Sequence, residues 1–389
     1  MSSMRRTNPA FAAFGCLIAS LGTLAGACGD GAEDAPGEVR ALGATDVSIL
    51  WPIDEPDALL RADSAGQGGA LLPRDVFDQI GRSLTRELDE ADDEYAALRI
   101  VGARLDPCFS VDLVRCQPQL RLIAQALDPT LGALDGALHL LYNLDDDAFA
   151  ALLDDVRALT AYAPEQSSAD PLQPSPALAA QGAGGAYGSR LAQRITAAVG
   201  AGNLARLTFM TRTGARAGTW EFGGLAVRAY PATGFGPPGP LTIDAIDATL
   251  QNVSQSGVLD YEYSVEPAFA DEIGRDGVSA AGTMALSAEA RSALHDWATG
   301  IERPSEIVPD TTDCASCHLA QHVRAGLEAA EPALVSEAEA AERAPRITGA
   351  EDSNPDNLRA FGYFGFEPAI SQRTANETAA VLAALAASE

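Results

Sequence analysis

Leu98-Arg99-Ile100-Val101-Gly102-Ala103-Arg104-Leu105 and Gln119-Leu120-Arg121-Leu122-Ile123-Ala124-Gln125-Ala126-Leu127 are the two runs whose reading decides the fold. Both are short, apolar and rich in branched residues, and both are bounded by polar turns, as β-strands are. In the second run Leu120, Leu122 and Ala124 alternate with Arg121 and Gln125, which predicts one face in the core and one toward water. The segment joining the runs holds Cys108 and Cys116. In an oxidising compartment these two would staple a hairpin, stabilising the fold by roughly 2.5 kcal/mol on the chain-entropy account.

Outward from this pair, further strands are predicted over 137–142, 206–212, 219–229, 241–253 and 258–265. Consecutive strands with short connections favour an antiparallel sheet. One helix is predicted to start at Pro73-Arg74-Asp75 and to run through the spaced apolar positions Val76, Ile80, Leu84 and Leu88; others span Ala148–Leu159 and Ser189–Val199. Asp145-Asp146-Asp147 directly precede the helix over 148–159 and read as its cap rather than as metal ligands, because acids there satisfy free amides and complement the helix dipole. Residues 163–185, rich in Pro, Ser, Ala and Gly, read as a linker or long surface loop. The glycines of 182–188 lack the preceding strand and the spacing that a dinucleotide loop needs. After Arg275 the pattern turns mostly helical: Ser287 caps a helix reaching Gly300, another follows over Leu319–Leu327, and Thr374-Ala375-Asn376-Glu377 forms a capping box for the last. The expected fold class is α+β, a largely antiparallel sheet with packed helices over residues 46–275 followed by a mostly helical segment over 276–389.

That helical segment carries Cys314-Ala315-Ser316-Cys317-His318. Two thiols three positions apart with an adjoining imidazole form the attachment signature of a c-type haem, in which the thiols add to the two vinyl groups and the imidazole binds the iron. With 6 Cys and 4 His in 389 residues, chance yields this pattern in roughly one such chain in a thousand, so it is treated as a motif. On these five residues the chain resembles the c-type cytochromes. The resemblance implies one covalent haem c held by Cys314 and Cys317, with His318 as proximal iron ligand. The chain departs from the common small cytochromes downstream, where no Met follows His318. His322, four residues on, shares a helix face with His318 and cannot reach the opposite side of the same iron. The second axial ligand is therefore sought upstream, at Met284 or His295, and further away at Met210 or His139. A lone strand histidine such as His139 is otherwise structural. Phe361-Gly362-Tyr363-Phe364-Gly365-Phe366 is an aromatic cluster large enough to cover a macrocycle or, alternatively, to pack under the last helix.

Two other chemistries suit the same stretch. One is a zinc site of Cys314, Cys317, His322 and one outside ligand. The other is a plain disulfide or exchange site.

At the N-terminus, Arg5 and Arg6 precede an apolar run from Phe11 to Leu24 and then Ala25-Gly26-Ala27-Cys28. The run is too short to span a bilayer, and the whole resembles a bacterial lipoprotein signal. That resemblance implies removal of residues 1–27, a lipid on Cys28 and a flexible tether over 28–45. The chain also resembles envelope lipoproteins of GC-rich Gram-negative bacteria. The location implied is the cell envelope, lipid-anchored, on the periplasmic side or at the outer membrane.

Net charge is −28, and loss of Arg5 and Arg6 with the signal carries it to −30. So acidic a chain is excluded from nucleic-acid binding through phosphates and is repelled by anionic membranes. Lipid, rather than charge, would hold it to a membrane. All 26 basic residues are arginine, which excludes Schiff-base chemistry and a lysine general base. No nucleophile-base arrangement emerges over 46–275, so an enzyme is not the leading expectation, and peroxidase chemistry would need an open distal site. Two functions are carried forward: a lipid-anchored monohaem protein passing electrons to a redox partner, and a non-catalytic structural or binding lipoprotein in which Cys314 and Cys317 form a disulfide or zinc site.

Overall fold

Ser48–Leu50 (β1), Leu98–Asp106 (β2), Gln119–Asp128 (β3), Ala137–Asn143 (β4), Leu204–Arg212 (β5) and Thr219–Arg228 (β6) pair antiparallel in that order. Thr242–Ala245 (β7) and Gln251–Ser256 (β8) both pair with β6, and Glu262–Ser264 (β9) and Val278–Ser279 (β10) extend the sheet beyond β8. The computed structural model describes residues 37–81, 83–85, 93–107, 117–164, 170–212, 219–228, 242–245, 251–256, 262–264, 278–279, 286–304, 314–349 and 357–388. The described residues form a single compact unit. Among the described residues no helix is long and apolar enough to cross a membrane.

Strand alternation sorts the side chains onto two faces. On one face Leu120, Leu122, Leu138, Leu140, Leu207 and Phe209 are buried against Asp146–Leu159 (α1), Pro176–Gln181 (α2) and Ala186–Ala198 (α3), through Phe149, Leu152, Leu178, Leu191 and Ile195. Asp145 caps α1 as expected, its Oδ1 accepting from the Ala148 amide at 2.8 Å. The other face presents Arg104, Arg121, Gln125, Ala137, His139, Met210, Trp220 and Phe222. It is covered by Ala288–Glu302 (α4), Cys314–Ala330 (α5), the hairpin of Phe361–Phe364 (β11) with Glu367–Ile370 (β12), and Gln372–Ser388 (α6). Leu294, Ala298 and Ile301 of α4 and Leu319, Val323 and Leu327 of α5 close a second apolar cluster with Ala137, Met210, Trp220 and Phe222. The class is thus α+β, with a largely helical C-terminal segment laid across the sheet.

This covering corrects the first strand reading. Arg121 and Gln125, expected toward water, are 8% and 0% exposed. Gln125 is satisfied by the β11 backbone, accepting from the Tyr363 amide at 2.8 Å and donating to its carbonyl at 3.0 Å. The fit requires glycine at 362, where φ is +152° and a Cβ would stand 2.5 Å from Gln125 Oε1.

Other expectations shift for local reasons. The helix expected through Leu88 spans only Arg74–Asp78, because the chain reverses through Gly81 at φ +69°; Ile80 and Leu84 are still buried, and Leu88 lies outside the described residues. The stretch read as a linker over 163–185 contains α2, capped by Ser175 and seated in the core through Ala177 and Leu178. The run read as one strand over 241–253 is β7 and β8: Ala245 lies opposite Leu225 but Gln251 lies opposite Phe222, so one register cannot continue across it. The tether expected through residue 45 is docked from Gly37, which donates to the Ala161 carbonyl, and Arg40 pairs with buried Asp46 at 2.6 Å. The final helix is capped by Ser371, whose hydroxyl accepts from the Thr374 amide at 3.2 Å. Thr374 instead donates its hydroxyl to the Ala360 carbonyl, and Glu377 turns inward.

The aromatic stretch 361–366 forms a hairpin, and Phe361 and Tyr363 share a core cluster with Ala375 and Val381 of α6. Phe361 lies against Gly102, and the Tyr363 hydroxyl donates to the Trp51 carbonyl at 2.7 Å, while Phe366 is exposed.

Candidate metal centre

The five-residue motif opens α5, which begins at Cys314. Leu319, Val323 and Leu327 recur at helical spacing and commit that face of α5 to the apolar cluster, placing Cys317 and His318 at its edge, both half-buried. Ion pairs hold α5 against α4. Arg324 donates from Nε to Glu302 of α4 at 2.8 Å, Arg291 of α4 reaches Glu331 just beyond α5 at 2.8 Å, and within α5 Arg324 also donates from Nη1 to Glu328 at 2.8 Å.

Both α5 histidines are oriented by one short stretch of backbone. His318 donates its Nδ1–H to the Leu358 carbonyl, and His322 its Nε2–H to the Asn357 carbonyl at 2.8 Å. A carbonyl can only accept, so the His318 proton is fixed on Nδ1 and the Nε2 lone pair is left for another partner. This is the outer-shell arrangement of a metal-binding histidine. The Leu358 carbonyl is itself fixed by its neighbour. Arg359 pairs with Asp135 at 3.3 Å, donates to the Leu134 carbonyl at 3.1 Å and lies over the Phe364 and Trp220 rings.

Facing His318 across the sheet-helix interface are two rings, Phe222 of β6 at 4.9 Å and His139 of β4 at 6.4 Å between centroids. Burial pushes His318 below the ordinary imidazole range. His139 is pushed well below it, first by burial and then by the charges of Arg121, His318 and Arg104. Burial thus disfavours the protonated form of both rings.

A buried charged cluster borders this pair. Arg104 and Arg121 lie directly opposite each other on β2 and β3, an unfavourable like-charge pairing. Glu377 of α6 offsets it, bonding Arg104 at 2.6 Å and Arg373 at 2.8 Å, while Arg121 reaches Asp106 at 3.1 Å. Burial alone would raise the Glu377 carboxyl, but Arg104, Arg373 and Arg121 outweigh it and hold the group at about 2. Arg373 also donates to the Ile301 carbonyl near the end of α4.

The remaining expected site residues fall elsewhere. His295 is fully buried on α4 with Nε2 3.1 Å from Glu328, whose position ten residues beyond His318 lies about 15 Å further along α5. Met210 packs in the second apolar cluster, on the same sheet face as His139. Met284, Cys28, Cys108 and Cys116 lie outside the described residues. No group of three or more His, Cys, Asp or Glu side chains among the described residues could hold a metal ion, and His322 has already committed its Nε2. Sequence reasoning missed the acceptors at 357–358 and the Arg104–Glu377–Arg373 cluster. The available signal was a pair of arginines inside otherwise apolar strands.

The donor set fits a covalently attached haem. The thiol positions are three residues apart on the opening turn of α5, and the imidazole beside them keeps its Nε2 lone pair. In addition, the Nε atoms of Arg104 and Arg121 are buried without hydrogen-bond partners among the described residues, which suits the carboxylates of a haem. A scan against protein-family models finds no match to the chain, and comparisons with curated proteins and with solved structures find none either.

Proposed function

We propose that the chain is a lipid-anchored, monohaem c-type protein of the cell envelope that carries single electrons between redox proteins. The reading rests on the motif at 314–318 combined with the Leu358 carbonyl, which leaves His318 Nε2 available to iron. The Cys314 and Cys317 thiols would each add S–H across one vinyl group, with no atom lost. A haem held there would supply a one-electron ferric/ferrous couple for exchange between a reduced carrier protein and an oxidised one.

The chain's own residues do the rest. The Arg324–Glu302 and Arg291–Glu331 ion pairs hold the helix that bears both thiols and His318 against α4. Trp220, Phe222 and Leu319 exclude water beside the imidazole, and low polarity around a haem is one of the protein's levers on its potential. Arg104 and Arg121 offer buried cations to the haem carboxylates. The strongly acidic surface favours a partner with a basic docking face.

Protein made in a host that attaches haem c is expected to show a Soret band that shifts reversibly on reduction. The Cys314→Ala/Cys317→Ala variant is expected to lose its colour on acid-acetone extraction. A colourless wild-type protein would sink the reading and leave a structural or binding lipoprotein with paired cysteines.

A further inference from the structure

We infer that His139 is the second axial ligand, so that the iron joins the N-terminal sheet to the C-terminal helix; this rests on the haem reading above. His139 lies on β4, opposite Ile123 of β3 and Thr208 of β5. It therefore projects from the sheet face that α5 covers. The residue is half-buried, and no hydrogen bond of its ring is found among the described residues.

The separation from His318 decides what the pair can do. Two imidazoles sharing an N–H···N bond of about 3 Å have ring centroids roughly 5 Å apart. Two imidazoles on opposite sides of one metal, with bonds of about 2 Å each, have centroids about 6 Å apart. The observed 6.4 Å is too long for a direct hydrogen bond and suits a metal between the rings. His318 already points its free Nε2 away from the Leu358 carbonyl. His295 is engaged with Glu328, and His322 cannot serve because it stands on the same helix as His318. Met210 is the competitor on the same sheet face.

The test is optical and EPR spectroscopy of haem-loaded wild type, His139→Ala, His139→Met and Met210→Leu proteins. Wild type is expected to be six-coordinate and low-spin in both oxidation states, with the EPR signature of two imidazoles. His139→Ala is expected to lose the ferrous low-spin spectrum, to gain carbon monoxide binding, and to recover the low-spin form on addition of imidazole. His139→Met should bring in the near-infrared band of thioether ligation, and Met210→Leu should leave the spectrum unchanged. Attached haem with an unaltered spectrum in His139→Ala, or a wild-type EPR signal without two imidazoles, would overturn the assignment while leaving the haem reading standing. Absence of attached haem in wild type would remove both. The wild-type EPR signal decides the question even if the alanine variant does not fold.

Discussion

The two faces of the sheet are built on different physics. Toward α1 and α3 the strands present leucines, Phe209 and Tyr142, a packed apolar layer in which burial pushes the Tyr142 phenol well above its ordinary range. Toward α4, α5 and α6 they present Arg104, Arg121 and Gln125, buried beside Trp220 and Phe222 under the C-terminal segment, and the half-buried His139. Burying charge and amide groups costs stability unless each is paired, and here Glu377, Asp106 and the Tyr363 backbone do the pairing. The first face builds the fold; the second holds the groups that could serve a cofactor.

Substitutions that treat the two faces alike test this contrast. The largest effect is expected from Glu377→Ala, which strands Arg104 and Arg373 in the interior at a cost of about 3–5 kcal/mol in urea unfolding. A loss under 1 kcal/mol would mean that the charged face is open to water. On the other face, Leu140→Ala removes fully buried methyl groups and should cost about 2–5 kcal/mol with no pH dependence of its own.

Acid separates the faces directly. Glu377 is held at about 2 in the folded protein, below the ordinary carboxylate range. Its contribution is therefore fully present above about pH 4.5 and is lost as pH falls toward 2, on the order of 3 kcal/mol in total. Unfolding followed from pH 6 to pH 2.5 should show this loss in wild type and in Leu140→Ala, and much less of it in Glu377→Gln.

Smaller effects sharpen the boundary between the layers. Gln125→Leu leaves the Tyr363 amide and carbonyl unpaired and should cost about 1–3 kcal/mol, with faster hydrogen exchange at the β11 amides. Ser371→Ala removes the cap of α6 and should cost about 1 kcal/mol in thermal unfolding.

The apolar face was legible because its pattern is local: Leu120, Leu122 and Ala124 alternate within one strand, and Asp145 stands directly before its helix. The covered face was not, because what covers Gln125 is β11 and what meets Arg104, opposite Arg121, is Glu377 of α6, both more than two hundred residues further along the chain. The helix expected from Pro73 ended early for a reason visible only in the backbone, the left-handed turn at Gly81. The motif at 314–318 was readable because five adjacent residues carry it. Its orienting carbonyl at Leu358 and its facing ring at His139 depend on register and packing, which spacing along the chain does not encode.

The most direct test of the central claim is a pyridine haemochrome spectrum taken together with intact mass, on protein made in a host with haem c maturation machinery. A c-type α-band and a mass raised by one haem on the peptide bearing Cys314 and Cys317 are the predicted results. A colourless protein whose Cys314–Cys317 peptide is two hydrogens lighter would contradict the account and mark the motif as a disulfide staple.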